Sequence, residues 1–199
     1  MPRWEQGSAD RLVKAALELF EEQGFENTSV VEIADRARVT TRTFFRYFPD
    51  KREVLFGESE SIRSALVRAI LDAPDVTDPL RVVTTTLAEF DWGVLGIELQ
   101  RRRHAVIAAN PGLLERDLIK QHDIAIEFIQ ALRRRGVEEN AARLATRVGV
   151  QAFATAYAQW VVRDDDADLR KLTDAALDLL QTLVPVSRAT DQVGKSPAL

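Results

Sequence analysis

Among its 199 residues the chain has no cysteine, one methionine and two histidines. Without cysteine there is no disulfide and no thiolate metal site, and a reducing cytoplasm is the expected setting. The two histidines, His104 and His122, leave few ways to build a metal centre, and none is expected. Glycine is sparse, and its nine occurrences form no Gly-x-Gly-x-x-Gly loop, no Gly-x-Ser-x-Gly elbow and no phosphate-binding Gly-Lys-Ser/Thr. The familiar routes to nucleotide chemistry and serine hydrolysis are therefore missing, and neither a catalytic residue nor a cofactor is expected. Long apolar runs are missing too. The most apolar stretch, Val148 to Val162, is broken by Gln151 and Gln159 and falls short of the roughly 18 residues a membrane span needs. Arg3, Glu5, Asp10, Arg11 and Lys14 give the first residues none of the character of a signal peptide.

What is present is an ordinary globular balance, 46% hydrophobic and 29% charged, with a net charge of -4. Strand signals are almost absent, while leucine and alanine recur at spacings of three and four. An all-α fold of about nine helices is expected. Leu12, Ala16, Leu19 and Phe20 form the stripe of a first helix that Gly24 ends. Ser29 and Glu32 make a capping box for a second, with Ile33, Ala34 and Ala37 inward. Thr40 can cap a short third helix to about Tyr47. Asp50 with Glu53 predicts a fourth, from Lys51 to about Leu71. Asp78-Pro79 starts a fifth, to about Trp92. Gly93 and Gly96 mark a bend before a sixth, which ends near Ala109. Asn110-Pro111 opens a long seventh, ending at Arg133-Arg134-Arg135-Gly136. An eighth spans about Glu139 to Arg163. Asp164-Asp165-Asp166 form a turn and cap for a ninth, which stops at Val184-Pro185. Residues 186–199 read as a disordered tail.

Charge is unevenly spread. Arg36, Arg38, Arg42, Arg46, Lys51 and Arg52 face one acid, Asp50, between positions 36 and 52. A local basic patch in an acidic chain suits contact with phosphates over one small surface. The same segment holds two short helices joined by a tight turn, the second opening on threonines and arginine. That is a helix-turn-helix, whose second helix can enter a DNA major groove. Arg42 and Arg46 are the candidates for guanine readout, since a guanidinium reaches O6 and N7 together. For Arg36 and Arg38 a solvated surface and a phosphate contact are equally open. A pure helical interaction module would leave the basic segment unexplained.

Leu19-Phe20, Gly24-Phe25, Thr28-Ser29-Val30, Ile33-Ala34, Ala37, Val39-Thr40, Thr43-Phe44-Phe45, Tyr47-Phe48, Lys51 and Leu55 together resemble the TetR family of bacterial repressors. The resemblance covers roughly forty residues, and the rest matches in helix layout. It implies an N-terminal three-helix DNA-binding domain, residues 1–55, and a larger domain, residues 56–185, that binds a small molecule and dimerises. Carried over by position, Ser29 holds a phosphate. Thr41, Arg42, Thr43 and Arg46 face base edges or flanking phosphates, and Tyr47 and Lys51 hold the backbone. Thr40 caps, with a phosphate contact as an addition. Phe45 stands where many members have tyrosine, which leaves an apolar contact in place of a phenolic hydrogen bond.

Phe90, Phe128, Phe153 and Tyr157 are the candidate lining of a ligand cavity, with Trp92 and Trp160 nearby. The run Arg101-Arg102-Arg103-His104 and the segment Asn110-Pro111-Gly112-Leu113-Leu114 resemble a branch whose ligand domain is described as acyl-CoA-like binding. This implies an apolar tunnel with a basic mouth, for which Arg103 is the candidate. The seventh helix, apolar on two faces, is expected at the domain centre. Gln151, Thr155 and Gln159 form either a polar seam between subunits or the wall of a pocket. Leu172, Ala176, Leu179, Leu180 and Leu183 give the ninth helix a stripe wide enough for both core and partner. The whole reads as a homodimeric repressor that leaves operator DNA when a small hydrophobic effector, an acyl-CoA among the candidates, binds.

Overall fold

The computed structural model describes residues 3–57, 59–92, 96–163 and 167–183; among them are nine α-helices and no strand. A head is built from α1 (Arg3–Gln23), α2 (Val30–Arg36) and α3 (Thr41–Tyr47). A larger unit follows from α4 (Ser59–Asp72), α5 (Pro79–Glu89), α6 (Ile97–Ala109), α7 (Pro111–Arg134), α8 (Glu139–Val162) and α9 (Leu169–Leu183). No described helix is long and apolar enough to cross a membrane. Segment 186–199 and the turn expected at Asp164-Asp165-Asp166 lie outside the described residues.

The caps form largely where short-range hydrogen bonding demands them. Ser29 accepts from the Glu32 N–H at 3.2 Å, and the Glu32 carboxylate accepts from the Ser29 N–H at 2.8 Å. Thr40 accepts from the Thr43 N–H at 3.1 Å. Asp78 accepts from the Arg81 N–H at 3.0 Å, with Pro79 in the first turn, where its missing N–H is no loss. Asp168 accepts from the Arg170 N–H at 2.9 Å and starts α9. Two helices end in the same six-residue knot. At the end of α7 the Val137 N–H reaches Leu132 O (3.1 Å) and the Gly136 N–H reaches Arg133 O (3.0 Å). At the end of α2 the Val39 N–H reaches Ala34 O (2.9 Å) and the Arg38 N–H reaches Asp35 O (3.0 Å). The pivot is Gly136 in the first, at φ 89°, and Arg38 in the second, at φ 55°. Left-handed backbone costs a non-glycine residue about 1–2 kcal/mol.

The fourth helix departs from expectation. Asp50 does cap, accepting from Arg52 N–H (2.7 Å) and Glu53 N–H (3.0 Å), but only a 3-10 turn, Arg52–Leu55, follows. The α-helix proper begins at Ser59. Val54, Leu55 and Phe56 are all buried in the head's core. Three consecutive residues cannot all point one way from a straight α-helix, where each step turns about 100°. The chain therefore breaks at Phe56-Gly57. A Cβ at Gly57 would lie 2.4 Å from the Phe48 ring, so only glycine lets that ring lie against the backbone. The seventh helix also departs. Leu113, Phe128, Ala131 and Leu132 are buried, but Leu114, Leu118, Ile119 and Ile126 are 41–56% exposed. Its neighbours α4, α6 and α8 leave its outer side uncovered.

The head is fastened to the larger unit. Its apolar core, around Leu12, Ile33, Phe44 and Leu55, continues into Val106, Ile107 and Leu113 of α6 and α7. Glu53, on the 3-10 turn, is gripped by Arg116 (2.6 Å) and Lys120 (3.0 Å) of α7. Arg102 of α6 makes a two-pronged pair with Glu21 of α1, at 2.7 and 2.6 Å. A second core gathers Leu66, Ile70, Val83, Leu87, Phe128, Leu132, Phe153 and Leu169.

Within that second unit α5 and α8 approach closely at Gly149. A Cβ there would lie 2.8 Å from Val83 Cγ1 and 3.1 Å from Val83 Cβ. Val83 is fully buried and β-branched, so it cannot swing aside. Alanine's better helix propensity is worth about 1 kcal/mol, less than the overpacking it would cause. Gly149→Ala is expected to lower unfolding free energy by about 1–2 kcal/mol in urea titration. An equal or higher stability would mean that the two helices do not meet as described.

Candidate nucleic-acid interface

The geometry of α2 against α3 is set from inside. Ile33, Ala34, Ala37, Phe44 and Phe48 are buried, with Val39 half-buried between the helices. Phe44 and Phe48 meet at a tilt with centroids 5.6 Å apart, and Phe20 meets Phe25 edge-on at 5.1 Å. Thr28, which pattern reading matched without assigning it work, is buried and donates to Gly24 O at 2.8 Å. It ties the end of α1 to the start of α2. The only sequence signal for this is a threonine one residue before a capping serine.

On the outside the expected DNA contacts fall on one short stretch. Ser29 is exposed but also donates to Glu32 at 2.7 Å, so its hydroxyl works in the capping box first. That box, through the Ser29 hydroxyl and then its backbone N–H, holds the Glu32 carboxyl below its ordinary range. A depressed carboxyl contributes stability above its unfolded titration and loses it as pH falls, so the start of α2 weakens in acid. Thr40 and Thr43 share a hydroxyl contact of 3.0 Å, and Thr41 lies half-exposed beside them. Arg42 is exposed and its guanidinium has no partner among the described residues. Arg46 is folded onto its neighbour, donating to the Tyr47 hydroxyl at 3.0 Å with its guanidinium 4.9 Å from that ring. Phe45 is 56% exposed, an apolar surface ready for a thymine methyl.

Arg36 and Lys51 are engaged with distant parts of the head. Arg36 makes a bidentate bond to Glu22 at 2.9 and 2.8 Å and reaches Glu18 at 3.6 Å. The same hydrogen bond from Arg36 holds the Glu22 carboxyl low. Lys51 donates to Phe25 O at 2.6 Å and to Glu26 O at 3.4 Å, and sits 4.2 Å from the Phe25 ring centroid. Its ammonium closes the α1–α2 loop and has one proton left for anything outside.

The candidate ligand residues converge in part. Phe90, Trp92, Phe153, Tyr157 and Trp160 form a chain of ring contacts 4.9–5.8 Å apart, with His104 6.4 Å from Tyr157. Phe128 is fully buried in the same core. Gln100, absent from the expected set, is buried and accepts from the Tyr157 hydroxyl at 3.0 Å. Burial raises the pKa of that phenol. Arg103 is engaged toward the head. It donates to Leu55 O at 2.6 Å and covers the Phe56 ring at 5.3 Å. Arg101 donates to Val161 O at 3.1 Å. On α8, Gln151, Thr155 and Gln159 are all exposed, so they face outward and not into the core. On α9, Leu179 and Leu183 are 58% and 69% exposed, Ala176 and Leu180 are half-buried, and Leu172 packs on the second core.

Comparison with known proteins agrees with this layout. Residues 12–57 match the model for bacterial regulatory proteins of the tetR family. Over 187 residues the chain is 28% identical to the transcriptional regulator TcmR of Streptomyces glaucescens, spanning 88% of this chain and 82% of TcmR. The chain thus resembles TetR-family regulators in its head and, more distantly, along most of its length. SmeT of Stenotrophomonas maltophilia, solved with triclosan, shares the fold at a TM-score of 0.60 and 19% identity, over 96% of this chain and 99% of that one. FadR of Thermus thermophilus, solved with lauroyl-CoA, does so at 0.51 and 22%, over 96% and 98%. The matched segment contains α2 and α3, the helix-turn-helix of a DNA-binding transcriptional regulator.

The head separates its arginines into two groups by partner, and mutation should separate them too. Arg42→Ala is expected to lower affinity for the preferred duplex by about 1–3 kcal/mol and to relax preference at one base position. Arg36→Ala should leave base preference intact and lower the head's thermal stability. Competition binding against a randomised duplex library measures the first, and calorimetry the second. Unchanged preference in Arg42→Ala would remove Arg42 from base readout.

Proposed function

We propose that this TetR-family regulator is a repressor that binds its operator as a homodimer and releases it when a small hydrophobic ligand enters the larger unit. The observation that carries the reading is the exposed face of α3, with Arg42 free and Phe45 bare, on a head fastened to α6 and α7. In this reading residues 1–55 are the DNA-binding domain and residues 56–185 bind ligand and dimerise. Ser29, Thr40, Thr41, Thr43, Arg46, Tyr47 and the last proton of Lys51 serve the backbone and flanking bases around Arg42. The protein works in the cytoplasm and catalyses nothing.

Two recognition helices are needed because one reads only a few base pairs, and in a dimer they must sit about 34–36 Å apart. The outward stripes of α8 and α9, with Leu179, Leu183, Gln151, Thr155 and Gln159, suit the partner subunit. The effector site is the aromatic group that follows α5 and continues on α6 and α8, where Gln100 and Tyr157 offer polar handles. FadR with lauroyl-CoA and SmeT with triclosan support an apolar effector, and an acyl-CoA is the first class to test. Coupling runs through α6, where His104 meets the Tyr157 ring and its neighbour Arg103 reaches the carbonyl of Leu55. A ligand that moves α6 thus pulls on the head directly, in addition to any push through α4. It needs only differential affinity for the two head spacings, a tenfold preference being about 1.4 kcal/mol.

The experiment is a titration of acyl-CoAs of rising chain length, with free CoA as control, against the complex of protein and preferred duplex in multi-angle light scattering. The expected outcome is a complex of two chains per duplex that dissociates more readily as the acyl chain lengthens. One chain per duplex would refute the dimer. No release at any length would remove the acyl thioester class.

A further inference from the structure

Arg38 is the only non-glycine residue with positive φ among the described residues, and it stands in the turn of the helix-turn-helix. The knot it completes recurs at the end of α7 with the same pair of hydrogen bonds, and there the chain places Gly136. Glycine at that pivot is the unstrained choice. Folding alone therefore does not account for an arginine at position 38.

Nor does a local contact. The Arg38 side chain is exposed, and it makes no hydrogen bond, ion pair or ring contact among the described residues. Arg36, two positions earlier, is bound by Glu22 and Glu18, which shows that acids within reach of this part of α2 do capture arginine. Arg38 lies two residues before the Thr40 cap of α3 and four before Arg42. Residues held in sparsely populated backbone cluster where the strain serves binding.

We propose that Arg38 is a phosphate-gripping residue of the DNA surface, kept in a strained turn because its charge flanks the recognition helix. This rests on the DNA-binding reading of α2 and α3. A phosphate grip from the turn fixes how deeply α3 sits in the groove and carries no base preference of its own. It separates Arg38 from Arg42, which reads sequence, and from Arg36, which holds α2 to α1.

The test compares wild type with Arg38→Gly, Arg38→Asn and Arg38→Lys. Glycine and asparagine both tolerate left-handed backbone and lack the charge, while lysine keeps it. Two probes are used: a duplex selected by the wild type from a random library, and an unrelated duplex of equal length. Arg38→Gly should unfold at the same or a higher temperature than wild type. Arg38→Gly and Arg38→Asn should lose affinity for both duplexes by the same factor. Their salt slope should fall by about 0.9, so the gap to wild type narrows about 3.5-fold between 50 and 200 mM salt. Arg38→Lys should recover the slope. Unchanged affinity and slope in Arg38→Gly and Arg38→Asn would overturn the proposal. So would a loss confined to the selected duplex, which would make Arg38 a base reader, or a lower unfolding temperature in Arg38→Gly, which would make it structural. A wild type that selects no duplex would instead remove the DNA-binding reading beneath it.

Discussion

The structure depends on Glu53 being held between Arg116 and Lys120. This carboxylate is mostly shielded, on the short 3-10 turn that follows the head, and both cations come from α7. Lys120 also lies 5.5 Å from the Phe56 ring, so charge and aromatic packing meet at one point. Partly buried pairs of this kind are screened less by salt than surface pairs. The head is thereby made part of the larger unit's frame and not a bead on a linker. The Arg103 bond to Leu55 O and the Arg102 pair with Glu21 repeat the fastening from α6. In the proposed switch a shift of α6 or α7 is passed to α3 through these contacts.

That constraint explains why the polar surface of α3 can be so economical. Its inner side is fixed by Phe44 and by the two caps, Ser29 and Thr40, and needs no help from DNA to hold shape. The outer side is left to Arg42, Phe45 and the Arg46–Tyr47 pair. A preorganised face loses little entropy on binding, so its few contacts count more fully toward affinity.

Sequence reading recovered what local chemistry determines. The Ser29–Glu32 box, the Thr40 cap, Asp78-Pro79 and the Gly136 stop each depend on residues within a few positions, and each lies where expected. The break at Phe56-Gly57 was hidden because it comes from burying three successive side chains in a core assembled from distant helices. The arginines at 101 to 103 look alike in sequence. Their partners, Val161, Glu21 and Leu55, lie 60, 81 and 48 residues away, so nothing local distinguishes a clamp from a pocket mouth. The outer side of α7 misled for a related reason. An apolar stripe at Leu114, Leu118 and Ile119 reads as core whichever side its neighbours occupy. Phe90, Phe153 and Tyr157 were legible as a group because aromatic residues of that size in an all-α domain have few places to go but inward.

The central claim is that the Glu53 clamp sets where the recognition helices stand. The chain's lack of cysteine makes a direct measurement possible. Asp35→Cys, exposed on α2, gives one spin-label site per head, and pulsed dipolar spectroscopy reads the distance between heads in the proposed dimer. With Glu53 intact the account predicts one narrow distance distribution. Adding Glu53→Gln should broaden or shift it while the helical circular dichroism signal remains. An unchanged distribution in the Glu53→Gln protein would contradict the account, because the head would then be positioned by something other than this clamp.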